Sequence, residues 1–219
     1  MQTGDHQPDG YLALPAHGKG KGVLVLHAWW GLNATIRGAC DRLAGAGFVA
    51  FAPDLYHGKV TNRIDEAQVL GESLDARVDE ARAEIASALD FLTSRSDGTG
   101  VAVMGFSLGG FYAVDVSARA PDRIDAVVLF YGTGPADLSR SRARYLGHFA
   151  EDDAYEPPAY AARLEDALRR EGRPVVFHTY PGTKHWFVEP DRTDVYDAAA
   201  ANLAWDRTIA FLRGDFATV

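Results

Sequence analysis

Short apolar runs alternate with longer amphipathic segments along almost the whole chain. Most of these runs are continuously apolar and are bounded by turn-forming residues, which is typical of strands buried on both faces of a parallel sheet. The predicted strands cover residues 23–27, 48–52, 101–106, 126–131, 144–149 and 175–180, with a further edge strand at residues 11–14. The pattern therefore predicts an α/β fold with a mostly parallel central sheet.

The segments between these strands repeat apolar residues at helical spacing. The predicted helices cover residues 35–46, 64–94, 108–120, 157–171 and about 194–212. Gly71 is expected to break the second of them, and Pro157 suits the first turn of its helix. Alternating strands and helices place helices on both faces of the sheet. Because 219 residues with 47% hydrophobic content suffice for one core, we predict a single domain over residues 1–219 without a separate lid domain.

Charge and composition narrow the function classes. The formal net charge of −8 disfavours nucleic acid and anionic membrane surfaces as partners. A single cysteine rules out an intramolecular disulfide, and no apolar run approaches the length that spans a bilayer. Residues 1–20 lack the basic and apolar regions of a signal peptide. We therefore expect a cytoplasmic monomer that acts on a small molecule, without a membrane or nucleic-acid partner.

Residues 105–110 read Gly-Phe-Ser-Leu-Gly-Gly between a predicted strand and a predicted helix. Small residues on both sides of Ser107 allow the sharp turn of a nucleophile elbow, which exposes the serine hydroxyl at the carboxyl edge of the sheet. The amide of Leu108 would then face a developing oxyanion. A glycine-rich connection without function is the alternative, and a serine nucleophile needs a base and an acid beside it.

Three histidines follow Ser107 in the chain. His148 and His178 lie inside predicted strands and are expected to be structural. His185 lies in a loop just beyond a predicted strand, so it is the candidate base. In the order Ser, acid, His, the candidate acid is Asp153, in the acidic segment 150–153 after another strand. Spacing alone leaves Asp152 and Glu151 as competitors.

The chain resembles the dienelactone hydrolase family of the α/β-hydrolase fold. The resemblance rests on residues 23–33, residues 47–56, the Ser107 elbow, the Asp153 loop and residues 182–187, which follow the family order from about residue 10 to residue 212. It implies that Asp153 is the acid, that His185 is the base, and that the amides of Trp29 and Leu108 stabilise the oxyanion.

This sequence departs from the family pattern at three positions. Ser107 stands where the founding dienelactone hydrolases carry a cysteine, and the single Cys40 lies on a predicted helix far from the elbow. Ala28 stands where those enzymes place a glutamate beside the nucleophile. Glu189 stands where the resemblance leads us to expect an arginine that pairs with a substrate carboxylate, which puts an anionic substrate in doubt.

Aromatic residues concentrate around the predicted site. Trp30, Phe106, Tyr155 and Trp186 are candidates for a substrate pocket suited to an apolar group, although such rings also fill the top of a core. No histidine or cysteine spacing indicates a metal, and no loop indicates a phosphate or dinucleotide cofactor.

The sequence therefore predicts a cofactor-free serine hydrolase that cleaves a small ester or lactone through an acyl-enzyme. The alternatives are a non-catalytic ligand sensor on the same fold, and a perhydrolase or C–C bond hydrolase that uses the same triad.

Overall fold

The computed structural model describes residues 7–98 and 100–216. Its strands are β1 (Gly10–Ala13), β2 (Gly22–Leu26), β3 (Val49–Pro53), β4 (Val101–Phe106), β5 (Ile124–Phe130), β6 (Arg144–Asp152) and β7 (Val175–Lys184). Its α-helices are α1 (Ala34–Gly45), α2 (Ile64–Asp75), α3 (Val78–Arg95), α4 (Leu108–Arg119), α5 (Pro158–Arg170) and α6 (Ala198–Leu212). Strands and helices alternate through most of the chain, as the hydrophobic pattern predicts.

Within the described residues the seven strands form one sheet in the order β1-β3-β2-β4-β5-β6-β7. Strand β1 pairs antiparallel with β3, whereas β2 with β3, β5 with β6, and β6 with β7 are parallel pairs. Every residue of β2, β3 and β4 is buried, as expected for parallel strands covered on both faces. The predicted α/β class with a mostly parallel sheet is confirmed.

The chain divides into two compact units. One takes in the chain as far as Val25 together with Trp29–Val101, and in it α1 and α3 pack against β3. The other takes in Leu26–Ala28 and the chain from Ala102 onward, and in it α4 packs against β5 while α5 packs against β6 and β7. That one domain spans residues 1–219 stays a prediction.

Gly71 does not break a helix, so that prediction is wrong. It lies buried inside α2, and the helical segment is interrupted between Asp75 and Val78 instead. A Cβ at Gly71 would lie 3.0 Å from the indole nitrogen of Trp29. The missing side chain therefore serves the close packing of that indole, which sequence periodicity does not reveal.

Strand β7 is four residues longer than predicted, because it continues through Pro181 and Gly182 to Lys184. Proline and glycine are turn signals in most contexts, but proline is tolerated on edge strands and at bulges. Strand β7 is the last strand of the sheet, and its pairing with β6 is irregular at this point. The helix starts also differ slightly, since α5 begins at Pro158 and α6 at Ala198.

His148 is fully buried on β6 and has a hydrogen-bond partner at each ring nitrogen. The guanidinium of Arg207 donates to the Tyr180 hydroxyl oxygen (3.2 Å), so that hydroxyl is free to donate to His148 Nδ1 (2.8 Å). His148 Nε2–H then donates to the Thr208 hydroxyl (2.9 Å). Burial, assisted by His178 and Arg207, lowers the pKa of His148 well below its ordinary value. The structural role predicted for His148 agrees with this network.

We predict that His148 makes the folded state less stable in mild acid. Below about pH 6.5 the unfolded chain binds a proton at this side chain and the folded chain does not, so the free energy of unfolding falls by up to about 1.4 kcal/mol per pH unit. Urea unfolding between pH 7 and pH 5 should give a shallower dependence in His148→Gln than in the wild type. The exposed His17, changed to Gln, is the control, and equal slopes in the wild type and His148→Gln would contradict the prediction.

Candidate active site

Ser107 is the first residue after β4 and the residue immediately before α4. Its φ of 50° and ψ of −113° are a strained conformation for a residue with a side chain. Its amide donates to the carbonyl of Phe130 on β5 (2.9 Å) and its carbonyl accepts from the amide of Gly110 (2.7 Å). The hydroxyl is thus fixed at the carboxyl end of β4, beside the positive end of a helix dipole.

Glycines at positions 105 and 109 permit close backbone contacts in the elbow. A Cβ at Gly105 would lie 2.2 Å from the carbonyl oxygen of Gly109, and a Cβ at Gly109 would lie 2.2 Å from the carbonyl oxygen of Leu26. Both distances are far shorter than carbon and oxygen atoms tolerate, and the obstructing atoms belong to the main chain. These glycines are therefore required by the turn that presents Ser107.

Asp153 and His185 follow the ends of two neighbouring strands. The parallel register pairs Asp152 of β6 with Lys184 of β7, so the next residue on each strand emerges at the same edge of the sheet. The register pairs Ala150 with Tyr180 one step earlier, so two steps along β6 match four along β7. This bulge brings His185, rather than Thr183, level with Asp153.

The three predicted catalytic side chains lie within hydrogen-bond distance of one another. Asp153 Oδ2 and His185 Nδ1 are 2.7 Å apart, and His185 Nε2 and Ser107 Oγ are 2.8 Å apart. A carboxylate only accepts hydrogen bonds, so Nδ1 carries the proton and donates to Asp153, which leaves Nε2 to accept from the serine hydroxyl. The side chains of His185 and Asp153 are almost entirely buried, at 4% and 1% exposed.

The geometry separates the three acidic candidates. Asp153 Oδ1 also accepts from the amides of Tyr155 (2.9 Å) and Glu156 (2.8 Å), so its carboxylate is held on both oxygens. Asp152 and Glu151 are exposed at the end of β6, and Glu151 accepts from the amide of Gly182 (2.8 Å). Of the three, Asp153 is the one hydrogen-bonded to His185.

Two of the four predicted pocket residues lie against the imidazole of His185. The ring centroids of Trp186 and Tyr155 are 4.7 Å and 5.3 Å from that of His185, and 4.6 Å from each other. Trp186 is buried and the guanidinium of Arg192 lies over its ring at 5.0 Å. Tyr155 is 43% exposed.

Four predicted site residues remain, namely Phe106, Trp30, Trp29 and Leu108. Phe106 is buried and stacks on Phe130 with centroids 4.7 Å apart and planes 6° from parallel, an arrangement typical of core packing. Trp30 is buried in the unit that contains Trp29–Val101, and its carbonyl accepts a hydrogen bond from the amide of Thr61 (3.2 Å). Trp29 follows β2 in that same unit, and its oxyanion role stays a prediction, as does that of Leu108 at the start of α4.

Sequence reasoning missed a buried tyrosine that contacts the base and the hydrogen bond that joins this tyrosine to Glu189. Tyr131 contacts the His185 ring (4.9 Å between centroids), and its hydroxyl donates to Glu189 Oε1 (2.7 Å). Glu189 was noted only as a departure from the family pattern. The position of Tyr131 in the sequence could have indicated that it lies near the site. It directly follows β5, just as Ser107 directly follows β4.

The sequence contains a single cysteine. Cys40 is buried in α1, and burial raises the pKa of its thiol to about 12, so it stays protonated and unreactive. Over residues 7–98 and 100–216 there is no group of three or more His, Cys, Asp or Glu side chains that could hold a metal ion. Nor does that part of the chain contain a helix long and apolar enough to cross a membrane.

A parallel sheet with a serine in a strained strand-to-helix turn, followed along the chain by an acid and a histidine at strand ends, defines the α/β-hydrolase class. Comparison with known protein families then identifies the family within this class. The model of the dienelactone hydrolase family matches residues 9–215. The chain belongs to the dienelactone hydrolase family, and the resemblance seen in the sequence is confirmed.

Known proteins support the same assignment. The chain is 35% identical to Protein usf of Aquifex pyrophilus, over 93% of this chain and 92% of that protein. It is 33% identical to a carboxymethylenebutenolidase of a Pseudomonas species, over 57% of this chain and 55% of that enzyme. A dienelactone hydrolase-like promiscuous phosphotriesterase from metagenomic libraries superposes with a TM-score of 0.81 at 25% identity, covering 90% of this chain and 87% of that one.

We predict that Gly109→Ala destroys the elbow. The added methyl group meets the Leu26 carbonyl, which cannot move without shifting the strand, so the loss of stability should exceed about 2 kcal/mol. Gly38 offers a matched control, since it is also helical but has nothing within 4 Å of the Cβ position. Gly38→Ala should gain about 0.5–1 kcal/mol from helix propensity. Urea unfolding measures both, and a similar change in the two variants would contradict the proposed backbone contact.

Proposed function

We propose that this family member is a serine hydrolase that cleaves a small ester or lactone through a Ser107–His185–Asp153 triad. The observation that carries the proposal is the pair of hydrogen bonds at 2.8 Å and 2.7 Å that links the three side chains. Serine is a weak nucleophile unless a base removes its proton and an acid orients that base. The arrangement around Ser107 supplies both groups.

In the proposed reaction Ser107 Oγ attacks the substrate carbonyl carbon while its proton passes to His185 Nε2. Asp153 holds the imidazole in the required tautomer and stabilises the imidazolium that forms. The amides of Leu108 and Trp29 are proposed to donate to the oxyanion of the tetrahedral intermediate. The carbon–oxygen bond to the leaving group then breaks, and His185 returns the proton to the leaving oxygen. Water attacks the acyl-enzyme by the same sequence and releases Ser107.

The proposed substrates are small, neutral and apolar in part. The Pseudomonas relative is named for a butenolide, which is a lactone, so lactones belong beside simple esters among the substrates to be tested. Tyr155 and Trp186 offer aromatic surface next to the base. We place neutral substrates ahead of carboxylate-bearing ones because Glu189 stands where the resemblance led us to expect an arginine. We propose that the enzyme acts as a monomer, without a cofactor.

We expect Ser107→Ala to lose esterase and lactonase activity by at least about a thousandfold, since removal of a triad nucleophile abolishes the acyl-enzyme route. The assay is hydrolysis of p-nitrophenyl esters from acetyl to lauroyl, and of simple lactones, with wild type and variant side by side. The midpoint of thermal unfolding should stay close to that of the wild type. Wild-type turnover in the folded variant would refute the triad. Failure of the wild type to react with a fluorophosphonate probe would instead favour a non-catalytic sensor.

Two neighbouring aspartates allow a matched test of the acid. Asp153→Asn keeps the shape of the side chain but removes the charge that orients His185, and we expect kcat to fall by about ten thousandfold. Asp152→Asn makes the same chemical change one residue earlier, at an exposed position, and should retain near-wild-type kcat. The opposite ranking of the two variants would assign the acid to Asp152.

A further inference from the structure

A fully buried carboxylate lies four residues after the proposed base. Glu189 is 0% exposed, and its main chain is fixed in the turn that follows His185. Its amide donates to the carbonyl of Trp186 (2.9 Å), and its carbonyl accepts from the amide of Arg192 (3.0 Å). Burying a carboxylate carries a large free-energy penalty unless it accepts hydrogen bonds. The groups that satisfy Glu189 are therefore informative about its role.

One of these groups is the hydroxyl of Tyr131, which donates to Glu189 Oε1 at a distance of 2.7 Å. Tyr131 is also fully buried and has a φ of 39°, a backbone conformation that is unusual for an aromatic residue. Burial, together with the nearby carboxylate of Glu189, raises the pKa of Tyr131 well above its ordinary value. The phenol therefore stays protonated and remains a hydrogen-bond donor at every pH at which a hydrolase is assayed.

The ring of Tyr131 packs against the imidazole of His185. The two centroids are 4.9 Å apart and the planes meet at 59°. The ring of Phe187 also packs against the Tyr131 ring, with the two centroids 5.8 Å apart. Tyr155 and Trp186 also contact the imidazole, but Tyr155 is substantially exposed whereas Tyr131 is not. The buried ring of Tyr131 thus packs against the imidazole of His185, and the hydrogen bond to Glu189 holds the phenol in place.

The triad hydrogen bonds alone do not define the orientation of the imidazole. Hydrogen bonds at Nδ1 and Nε2 tolerate a range of angles, so they restrain rotation about the side-chain bonds of His185 only loosely. Contacts on the ring faces remove that freedom. Aromatic faces also carry negative electrostatic potential, which favours the imidazolium that forms when His185 accepts a proton.

We propose that Glu189 and Tyr131 form a positioning pair for His185. Glu189 fixes the Tyr131 ring through the phenol hydroxyl, and the ring fixes the tilt of the imidazole toward Ser107. This proposal rests on the proposed function, in which His185 is the base. It gives Glu189 an internal role, in place of the contact with a substrate carboxylate expected of an arginine at this position.

Four variants test the pair. Tyr131→Phe keeps the ring and removes the donor, and Glu189→Leu removes the acceptor. Each should lower kcat about tenfold with KM within about twofold, because a misplacement of about 1 Å can cost about a hundredfold and these variants should displace the imidazole by less. Glu189→Gln keeps an acceptor oxygen and should retain most of kcat. The double variant Tyr131→Phe/Glu189→Leu should be no slower than either single variant, since the two residues act as one unit.

Tyr145→Phe is the matched control. Its buried hydroxyl is hydrogen-bonded to the hydroxyl groups of Ser117 and Ser141, both at a distance of 2.7 Å. Neither serine belongs to the proposed site. This control should lower the unfolding midpoint while kcat stays at the wild-type value. If Tyr131→Phe and Glu189→Leu behave in the same way, losing stability with kcat unchanged, the pair is structural and the proposal is overturned.

A second measurement does not depend on turnover. The proton that His185 Nδ1 shares with Asp153 should give a downfield proton resonance in the wild type and in Tyr145→Phe. Loss of positioning should shift and broaden this resonance in Tyr131→Phe and Glu189→Leu, and an unchanged resonance in both would overturn the pair. Because the signal is present without substrate, it tests the pair even if Ser107→Ala retains turnover and the proposed function fails.

Discussion

The parallel pairing of β6 with β7 is the constraint on which the candidate site depends. Strands that run in parallel end at the same edge of the sheet, so their register decides which side chains meet there. Here Asp152 pairs with Lys184, and the residues that follow them, Asp153 and His185, form the 2.7 Å hydrogen bond. The bulge before this pair supplies the offset. A change in the length of segment 181–183 would bring a different residue level with Asp153.

Three residues near the carboxyl ends of the strands have strained backbone conformations. Ser107, Tyr131 and Trp186 have φ values of 50°, 39° and 66°, and each lies one or two residues beyond a strand end. Such conformations cost about 1–3 kcal/mol each and persist only where the surroundings impose them. The surroundings are main-chain bonds, since Ser107 donates to the Phe130 carbonyl and Tyr131 to the His148 carbonyl. The rigid centre of the sheet thus maintains the conformations that aim the site residues.

Most of the fold could be predicted because its signals are local. Continuous apolar runs located each strand to within a few residues, and β4 was predicted with the observed bounds. The errors arose where tertiary contacts override local preference. Gly71 lies inside a helix and packs closely against the Trp29 indole, and β7 can accommodate Pro181 because that strand lies at the edge of the sheet.

Local sequence patterns were enough to predict the α/β architecture, the elbow serine and the candidate base, because strand periodicity and turn chemistry depend on neighbouring residues. Spacing alone left Asp152 and Glu151 as competitors of Asp153, and no local pattern indicated that Tyr131 contacts His185 or that Glu189 is hydrogen-bonded to Tyr131. These contacts appear only in the tertiary structure, since they depend on the register between β6 and β7 and on which side chains are buried together. Side chains 58 residues apart, such as Tyr131 and Glu189, become neighbours through strand pairing that no local pattern encodes.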